Sequence, residues 1–200
     1  VVDDLSPSVI KIGMLSNADI VVTVAEALKD YHIPILLDPV MVSTSGHRLL
    51  SAEAEEVMKQ RLLPLATLIT PNIPEMEALT QMPVDTYEDK ARAAEHLFNY
   101  GVKAILLKGG HEVGDTKSDI LFTHSASGIE SHVFSSEAIA TRNTHGTGCT
   151  LSSAIACNLA AGFDVETSIK NAKEYLTDAI SAMLDLGSGS GPLDHMCRMK

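Results

Sequence analysis

Short apolar runs alternate with amphipathic stretches along most of the chain. The runs begin at Val9, Ile35, Leu68 and Ala104, and each is short enough to be a buried strand. The stretch from Asn17 to Tyr31 has apolar residues three or four positions apart, which is typical of a helix that packs one face against a core. Strands that alternate with helices predict an α/β fold around a mostly parallel central sheet.

Polar residues mark where several of the helices begin. Asn17 precedes a helical pattern and can accept a hydrogen bond from its first turn, and a further helix is predicted after Ser51. Thr86 with Asp89 has the spacing of a capping box, and Asp164 precedes a last helix that is predicted to reach residue 186. These signals divide the chain into regular helix and strand segments.

The chain is predicted to be one domain over residues 1–186. Residues 187–191 are glycines and serines, which predict a flexible linker followed by a loosely held tail to residue 200. Two short strands, 119–122 and 133–134, are predicted to be antiparallel. A helix is predicted to begin at Gly146-Thr-Gly148 and to run to Ala161.

Composition restricts the classes of partner. Fifteen basic against 26 acidic residues give a net charge of −11, which argues against binding to nucleic acid or to an anionic membrane surface. The chain has no apolar run long enough for a membrane span. Three cysteines without a C-x-x-C pair predict reduced thiols and a cytoplasmic protein.

The segment from Asn143 to Thr150, N-T-H-G-T-G-C-T, carries the strongest chemical signal. Two glycines flank Thr147 where a helix is predicted to begin, so backbone N–H groups at the positive end of the helix dipole would point outward. Such a helix start is a ready site for an anion. The alternative is a glycine-rich turn that only starts a helix.

Cys149 has three interpretations. Most helical cysteines are small buried apolar residues, and Cys157 on the same helix is expected to be one. A helix N-terminus favours the thiolate form, which predicts that Cys149 accepts a proton from a substrate hydroxyl. Covalent catalysis is the third interpretation, with His145 as the nearest candidate partner.

Charged residues follow three of the predicted strands. Asp38 ends one strand, Glu75 follows another beyond Asn72, and Lys108 ends a third before two glycines. Because ligands of open α/β sheets bind beyond the carboxyl ends of the strands, the carboxylates predict a magnesium site and Lys108 a phosphate contact. Helix-start charge compensation for Glu75 and a strand-end lysine extended toward solvent are the alternatives.

Taken together, five segments resemble the hydroxymethylpyrimidine/phosphomethylpyrimidine kinases of thiamine synthesis (ThiD), which belong to the ribokinase superfamily. These segments are Ile12–Leu15, Leu37–Val42, Ile69–Glu75, Leu107–His111 and Thr144–Leu151. The resemblance implies a ribokinase-like three-layer α/β/α sandwich. Because a glycine- and serine-rich opening segment of the family has no counterpart here, the domain is expected to be N-terminally incomplete.

The resemblance also implies a reaction and its residues. The expected activity is the ATP-dependent phosphorylation of 4-amino-5-hydroxymethyl-2-methylpyrimidine and then of its monophosphate. Cys149 would be the catalytic base, and Gly146, Thr147 and Gly148 the anion hole for the transferred phosphoryl group. Lys108, with Asn72 and Thr144, would contact ATP. Asp38 and Glu75 would organise Mg²⁺, while Met14 and Val40 would line the pyrimidine pocket.

Two rival functions stay open at this stage. Some relatives with the same cysteine motif phosphorylate pyridoxal-type alcohols, so a pyridoxal or pyridoxine kinase is the nearest rival. An inactive nucleotide-binding relative is the second, although Asp38, Glu75, Lys108 and Cys149 are all present. The resemblance also implies a homodimer.

Overall fold

The computed structural model describes residues 1–41, 49–109 and 115–199. Val42, Gly110 and His111, which belong to segments discussed above, lie outside the described residues. By its internal contacts the chain divides into two compact units, residues 1–136 and 137–200.

The first unit is organised by a mixed sheet. In the described residues its six strands lie in chain order from β1 to β6, and β1 to β4 run parallel to one another. β5 pairs antiparallel with β4. The strands are β1 Ile10–Ile12, β2 Ile35–Leu37, β3 Leu68–Ile69, β4 Ala104–Leu107, β5 Thr116–Ser125 and β6 Gly128–Glu137. The prediction of a mostly parallel sheet is therefore confirmed.

Helices connect the parallel strands of this unit. A short helix precedes β1, and a 3₁₀ turn, Leu63–Leu65, precedes β3. The helices are α1 Val2–Leu5, α2 Ala18–Leu28, α3 Ala52–Arg61, α4 Ile73–Thr80 and α5 Tyr87–Phe98. Asn17, Ser51, Asn72 and Thr86 cap α2 to α5 through their side chains, and the capping box of Thr86 with Asp89 is present as predicted.

Alternate strand residues build the core of this unit. Leu37, Ile69, Ile105 and Phe122 are almost fully buried and belong to one apolar cluster, which also contains residues of α2 to α5. Leu36 of β2 points to the opposite face and is fully buried as well. Burial on both faces is the reason why these parallel strands are continuous apolar runs in the sequence.

The second unit contains two long helices, α6 Thr147–Ala160 and α7 Val165–Ser181, which pack against each other. Asp164 caps α7 as predicted, accepting from the N–H of Thr167 at 2.7 Å. Residues beyond α7 fold back onto it. Leu193 is buried, the N–H of Asp194 donates to the carbonyl of Ala179 at 3.1 Å, and Arg198 pairs with Asp178 at 2.7 Å. The boundary predicted at residue 186 stays a prediction.

Some element bounds differ from those predicted. β5 and β6 are much longer than 119–122 and 133–134, because their outer portions are rich in serine, threonine and charged residues that hide the apolar alternation. α7 ends at Ser181 instead of residue 186, and Met183 just beyond it has a positive φ of 48°, which is incompatible with a continuing helix. α1 carries no helical signal in the sequence.

None of the helices in the described ranges combines the length and the apolar character that crossing a membrane requires.

The capping box of α5 predicts an acid-sensitive contribution to stability. Hydrogen bonds from Thr86, together with Arg92, lower the pKa of Asp89 from 3.8 to about 2. Because the folded state holds this carboxylate charged, its contribution is present above about pH 4 and is lost as pH falls toward about 2. We expect urea unfolding to show a smaller loss of stability over this range for Asp89→Asn than for the wild type. Asp85→Asn, outside the capping box, is the control and should follow the wild type.

Candidate active site

Three of the predicted site residues lie at one edge of the sheet. Asp38 directly follows β2 and Lys108 directly follows β4. Asn72 lies beyond β3 and forms a parallel bridge with Lys108. Parallel strands bring their carboxyl ends to the same edge, so residues far apart in the sequence meet there.

Asp38 is the centre of this group. Its side chain is 1% exposed, and its Oδ1 accepts from the Lys108 ammonium at 2.8 Å and from the Thr70 hydroxyl at 3.1 Å. The Lys11 ammonium lies 3.8 Å from Oδ2. A buried carboxylate is costly unless it is paired and hydrogen-bonded, and Asp38 satisfies both conditions.

Glu75 is the second buried carboxylate at this edge. Its Oε2 accepts from the backbone N–H of Asn72, while the Asn72 side chain accepts from the N–H of Glu75, both at 2.8 Å. Lys108 Nζ is 3.9 Å from the same Oε2. Burial raises the pKa of Glu75, and the charges of Lys108 and Asp38 act on it in opposite directions. Glu75 therefore completes the capping box at the start of α4 and also faces the cluster, whereas its role in organising magnesium stays a prediction.

The donor set at this edge fits a hard divalent cation held mainly through water. Asp38 and Glu75 offer carboxylate oxygens, which Mg²⁺ prefers. In the described part of the chain there is no group of three or more side chains that could enclose a metal ion. A cation here would therefore take its remaining ligands from water and from substrate phosphates.

The two residues predicted to line the pyrimidine pocket lie near the same edge. Met14 follows β1 and is 52% exposed, which is high for a methionine. Val40 is half-buried, and its N–H donates to the carbonyl of Asp38 at 2.8 Å. Gly109 is held in place because its N–H donates to the buried carboxylate of Asp119 at 2.9 Å.

The N-terminus of α6 lacks the side-chain cap that the other long helices have. Gly146 occupies the N-cap position with a positive φ of 81°, which a glycine adopts without strain, and no side chain caps the helix. By contrast, side chains cap α2, α3, α4, α5 and α7. The first N–H groups of a helix need acceptors, so α6 presents donors that an external anion can use.

Thr144, Thr147 and Cys149 surround this helix start. The Thr147 hydroxyl donates to the carbonyl of Thr144 at 3.1 Å, which ties the loop to the first turn. Cys149, in that first turn, is exposed to solvent. Cys157 is exposed as well, so the prediction that it is buried is wrong. It lies on the outward side of α6, whereas Leu151 and Ile155 form the buried side.

Two partners of Asp38, Lys11 and Thr70, were not predicted from the sequence. Lys11 is a charged residue inside an apolar strand, and such a residue needs a counter-ion. That signal was available, but its partner could be found only from the pairing of β1 with β2. Thr70 carried no distinguishing signal, since threonine is common at the ends of strands.

The cluster predicts a strong dependence of stability on Asp38. In Asp38→Asn, Lys11 loses the carboxylate that lies 3.8 Å from its ammonium, and Lys108 keeps only the more distant Glu75, while both lysines stay largely buried. We expect the free energy of unfolding to fall by about 2–4 kcal/mol, measured by urea denaturation. Adding Lys108→Met to Asp38→Asn should recover part of this loss. A loss no larger than that of the surface control Asp178→Asn would contradict the burial of a charge network.

The comparisons with known proteins agree with one another on the family. The family model described as phosphomethylpyrimidine kinase matches residues 1–194. A hydroxymethylpyrimidine/phosphomethylpyrimidine kinase of Streptomyces coelicolor is 46% identical over 195 residues, which cover 98% of this chain and 71% of that protein.

Two solved structures extend the similarity to the fold. A phosphomethylpyrimidine kinase of Clostridium difficile superposes with a TM-score of 0.76 at 39% identity, covering 90% of this chain and 72% of the other. A pyridoxal kinase of Bacillus subtilis, solved as an ADP complex, superposes with a TM-score of 0.87 at 32% identity, covering 98% and 73%. These similarities confirm the predicted ribokinase-like α/β fold.

The chain thus matches one family model along nearly its whole length and is 46% identical to a member of that family. It also carries the strand-end charges and the uncapped, glycine-rich helix start described above. The chain belongs to the phosphomethylpyrimidine kinase family.

Proposed function

We propose that this protein is an ATP-dependent kinase that phosphorylates 4-amino-5-hydroxymethyl-2-methylpyrimidine and then its monophosphate, in the formation of thiamine diphosphate. Family membership supports the reaction class. The observation that carries the proposal is the exposed Cys149 in the first turn of α6, the one long helix in the described residues whose start has no side-chain cap.

The start of α6 provides the charge stabilisation that phosphoryl transfer needs. The transition state is loose and spreads negative charge over the oxygens of the transferred group. The N–H of Thr147 already donates to the carbonyl of Thr144 at 3.5 Å, so the proposed anion hole uses mainly the backbone N–H groups of Gly148 and Cys149. The helix holds these groups rigidly, so they require no reorganisation when charge develops. Gly146 and Gly148 have no side chains, which lets a phosphoryl group approach the backbone closely.

Cys149 is the proposed base. Its thiolate accepts the proton of the hydroxymethyl group as the hydroxyl oxygen forms its bond to the γ-phosphorus, and the bond from that phosphorus to the leaving oxygen of ADP breaks. A loose transition state needs little nucleophilic assistance, so a base of modest strength is sufficient. In the second step the acceptor is a phosphate oxygen of the monophosphate.

The strand-end cluster supplies the positive charge for ATP. Lys108 is proposed to contact the phosphates as a point charge, with Asn72 and Thr144 as further contacts to the nucleotide. Mg²⁺, when bound, would neutralise phosphate charge, and Asp38 and Glu75 would hold it mostly through water. The half-buried Val40 and the exposed Met14 are proposed to contact the pyrimidine ring.

A pyridoxal kinase is the alternative function. It is favoured by the TM-score of 0.87 to the pyridoxal kinase of Bacillus subtilis, which exceeds the 0.76 to the phosphomethylpyrimidine kinase of Clostridium difficile. The sequence identity favours the phosphomethylpyrimidine kinase, at 39% against 32% for the pyridoxal kinase. The family model that matches is also that of the phosphomethylpyrimidine kinases. Side-chain identity determines a pocket more directly than backbone similarity does, so the pyrimidine is the preferred acceptor. The homodimer and the cytoplasmic location stay predictions.

The role of Cys149 can be tested against a cysteine on the same helix. Cys149→Ala removes the proposed base, and we expect turnover of hydroxymethylpyrimidine with Mg-ATP to fall on the order of 10²–10⁴-fold, measured as ADP release. Cys157→Ala makes the same chemical change at another exposed position of α6 and should leave turnover close to that of the wild type. Equal effects of the two substitutions would overturn the assignment.

The metal requirement gives a second test. We expect EDTA to abolish turnover and added Mg²⁺ to restore it, because the phosphate charge is otherwise met by Lys108 and backbone donors alone. Glu75→Gln keeps the size and the capping contact of the side chain but removes its charge. It should raise the Mg²⁺ concentration needed for half-maximal turnover by about tenfold. An unchanged Mg²⁺ dependence in this variant would remove Glu75 from the metal site.

A further inference from the structure

Asn143 is a buried polar residue in the loop that leads into α6. It is 3% exposed, its Nδ2 donates to the carbonyl of Leu184 at 2.8 Å, and its own N–H donates to the Thr141 hydroxyl at 3.0 Å. Its Oδ1 is buried without a hydrogen-bond partner, and no other side-chain atom in the described residues is recorded in that condition. Buried polar atoms without partners are rare in folded proteins, so an unpartnered one calls for a structural reason.

Gly191 makes the room in which this buried amide lies. A Cβ added at this position would lie 1.9 Å from Oδ1 of Asn143 and 2.8 Å from its Cγ, so the amide fills the space that any other residue would need. Gly191 is buried and lacks a positive φ, so backbone conformation does not demand glycine here. The requirement for glycine at residue 191 is steric, and it comes from Asn143.

A second contact joins the same two segments at the surface. Arg142, adjacent to Asn143, donates to the carboxylate of Asp185 at 2.6 Å and to the carbonyl of Gly187 at 3.1 Å. The segment that Arg142 and Asn143 contact is itself anchored, because Leu193 is buried and Asp194 bonds to the backbone of α7. The loop before α6 is therefore held by the segment that follows α7.

We propose that Arg142, Asn143 and Gly191 form a latch through which residues 184–194 position the loop 143–146, and with it the N–H groups at the start of α6. Asn143 is then a positioning residue, and Gly191, at the end of the glycine- and serine-rich stretch, is the residue whose lack of a side chain lets Asn143 hold the loop. The effect on phosphoryl transfer rests on the proposed function. The effect on the loop does not.

Gly191→Ala is the direct test, with Gly189→Ala as the matched control, since a Cβ at residue 189 meets nothing within 4 Å. We expect Gly191→Ala to displace Asn143 and to speed amide hydrogen exchange in residues 144–150 by about tenfold. We expect kcat to fall on the order of 10- to 100-fold with little change in KM for the pyrimidine, because a misplaced anion hole affects the transition state more than substrate binding. Gly189→Ala should match the wild type in both measurements.

A double substitution separates the latch from general damage. Asn143→Ala removes the atom that a Cβ at residue 191 would meet, so Gly191→Ala should have no further effect in that background. Arg142→Ala tests the surface contact without crowding the interior, and it should also speed exchange in 144–150. Arg198→Ala breaks a comparable ion pair to α7, with Asp178, and should leave that exchange unchanged.

Several results would overturn the latch. Asn143 and Gly191 would not be coupled if amide exchange in residues 144–150 were the same in Gly191→Ala as in Gly189→Ala. Additive effects of Asn143→Ala and Gly191→Ala would lead to the same conclusion. Faster exchange with unchanged kcat would reduce the contact to a structural one. A wild-type chain without kinase activity would refute the proposed function, while the exchange measurements would still decide the latch. Should Gly191→Ala fail to fold, the comparison of Arg142→Ala with Arg198→Ala decides the question.

Discussion

The pairing of the buried Asp38 carboxylate with the Lys108 ammonium is the interaction on which the candidate site depends. The two residues are far apart in the sequence, and they meet because β2 and β4 are parallel strands of one sheet and end at the same edge. Neither charge could be buried alone at acceptable cost. The apolar strands therefore do two things: they build the core, and they bring together charges that need one another.

Lys108 lies between two carboxylates, 2.8 Å from Asp38 and 3.9 Å from Glu75. That position holds the ammonium at the edge of the sheet, where phosphates of a nucleotide would compete with the carboxylates for it. Burial raises the pKa of Glu75, and the nearby charge of Lys108 acts in the opposite direction. A bound cation would favour the charged carboxylate as Lys108 does, which is consistent with the proposed use of Mg²⁺.

In the second unit, the start of α6 lacks a stabilising side-chain cap. Side chains cap the other long helices in the described residues, whereas Gly146 leaves the start of α6 without a cap. A side-chain cap contributes about 1 kcal/mol to a helix, so its absence costs stability. Residues that give up local stability are concentrated at functional sites. The unpartnered oxygen of Asn143, just ahead of this helix start, is a second such cost in the same loop.

The sequence predicted what local patterns determine. Helix caps at Asn17, Thr86 and Asp164 were confirmed because a cap depends on residues a few positions apart. The positions of Asp38 and Lys108 at strand ends followed from apolar runs of limited length. The contacts of Asp38 with Lys11 and Thr70 could not be predicted, because they depend on which strands lie side by side. The role of Gly191 was hidden for the same reason, since a glycine that makes room for a distant amide has the same sequence signature as one in a linker.

The most direct test of the central claim is a ³¹P NMR time course with Mg-ATP and 4-amino-5-hydroxymethyl-2-methylpyrimidine, run in parallel with pyridoxal. We expect the pyrimidine monophosphate to appear first and the diphosphate to follow as the monophosphate is consumed, with slower or no conversion of pyridoxal. Rapid formation of pyridoxal phosphate, with the pyrimidine left unchanged, would contradict it and assign the chain to the pyridoxal kinases.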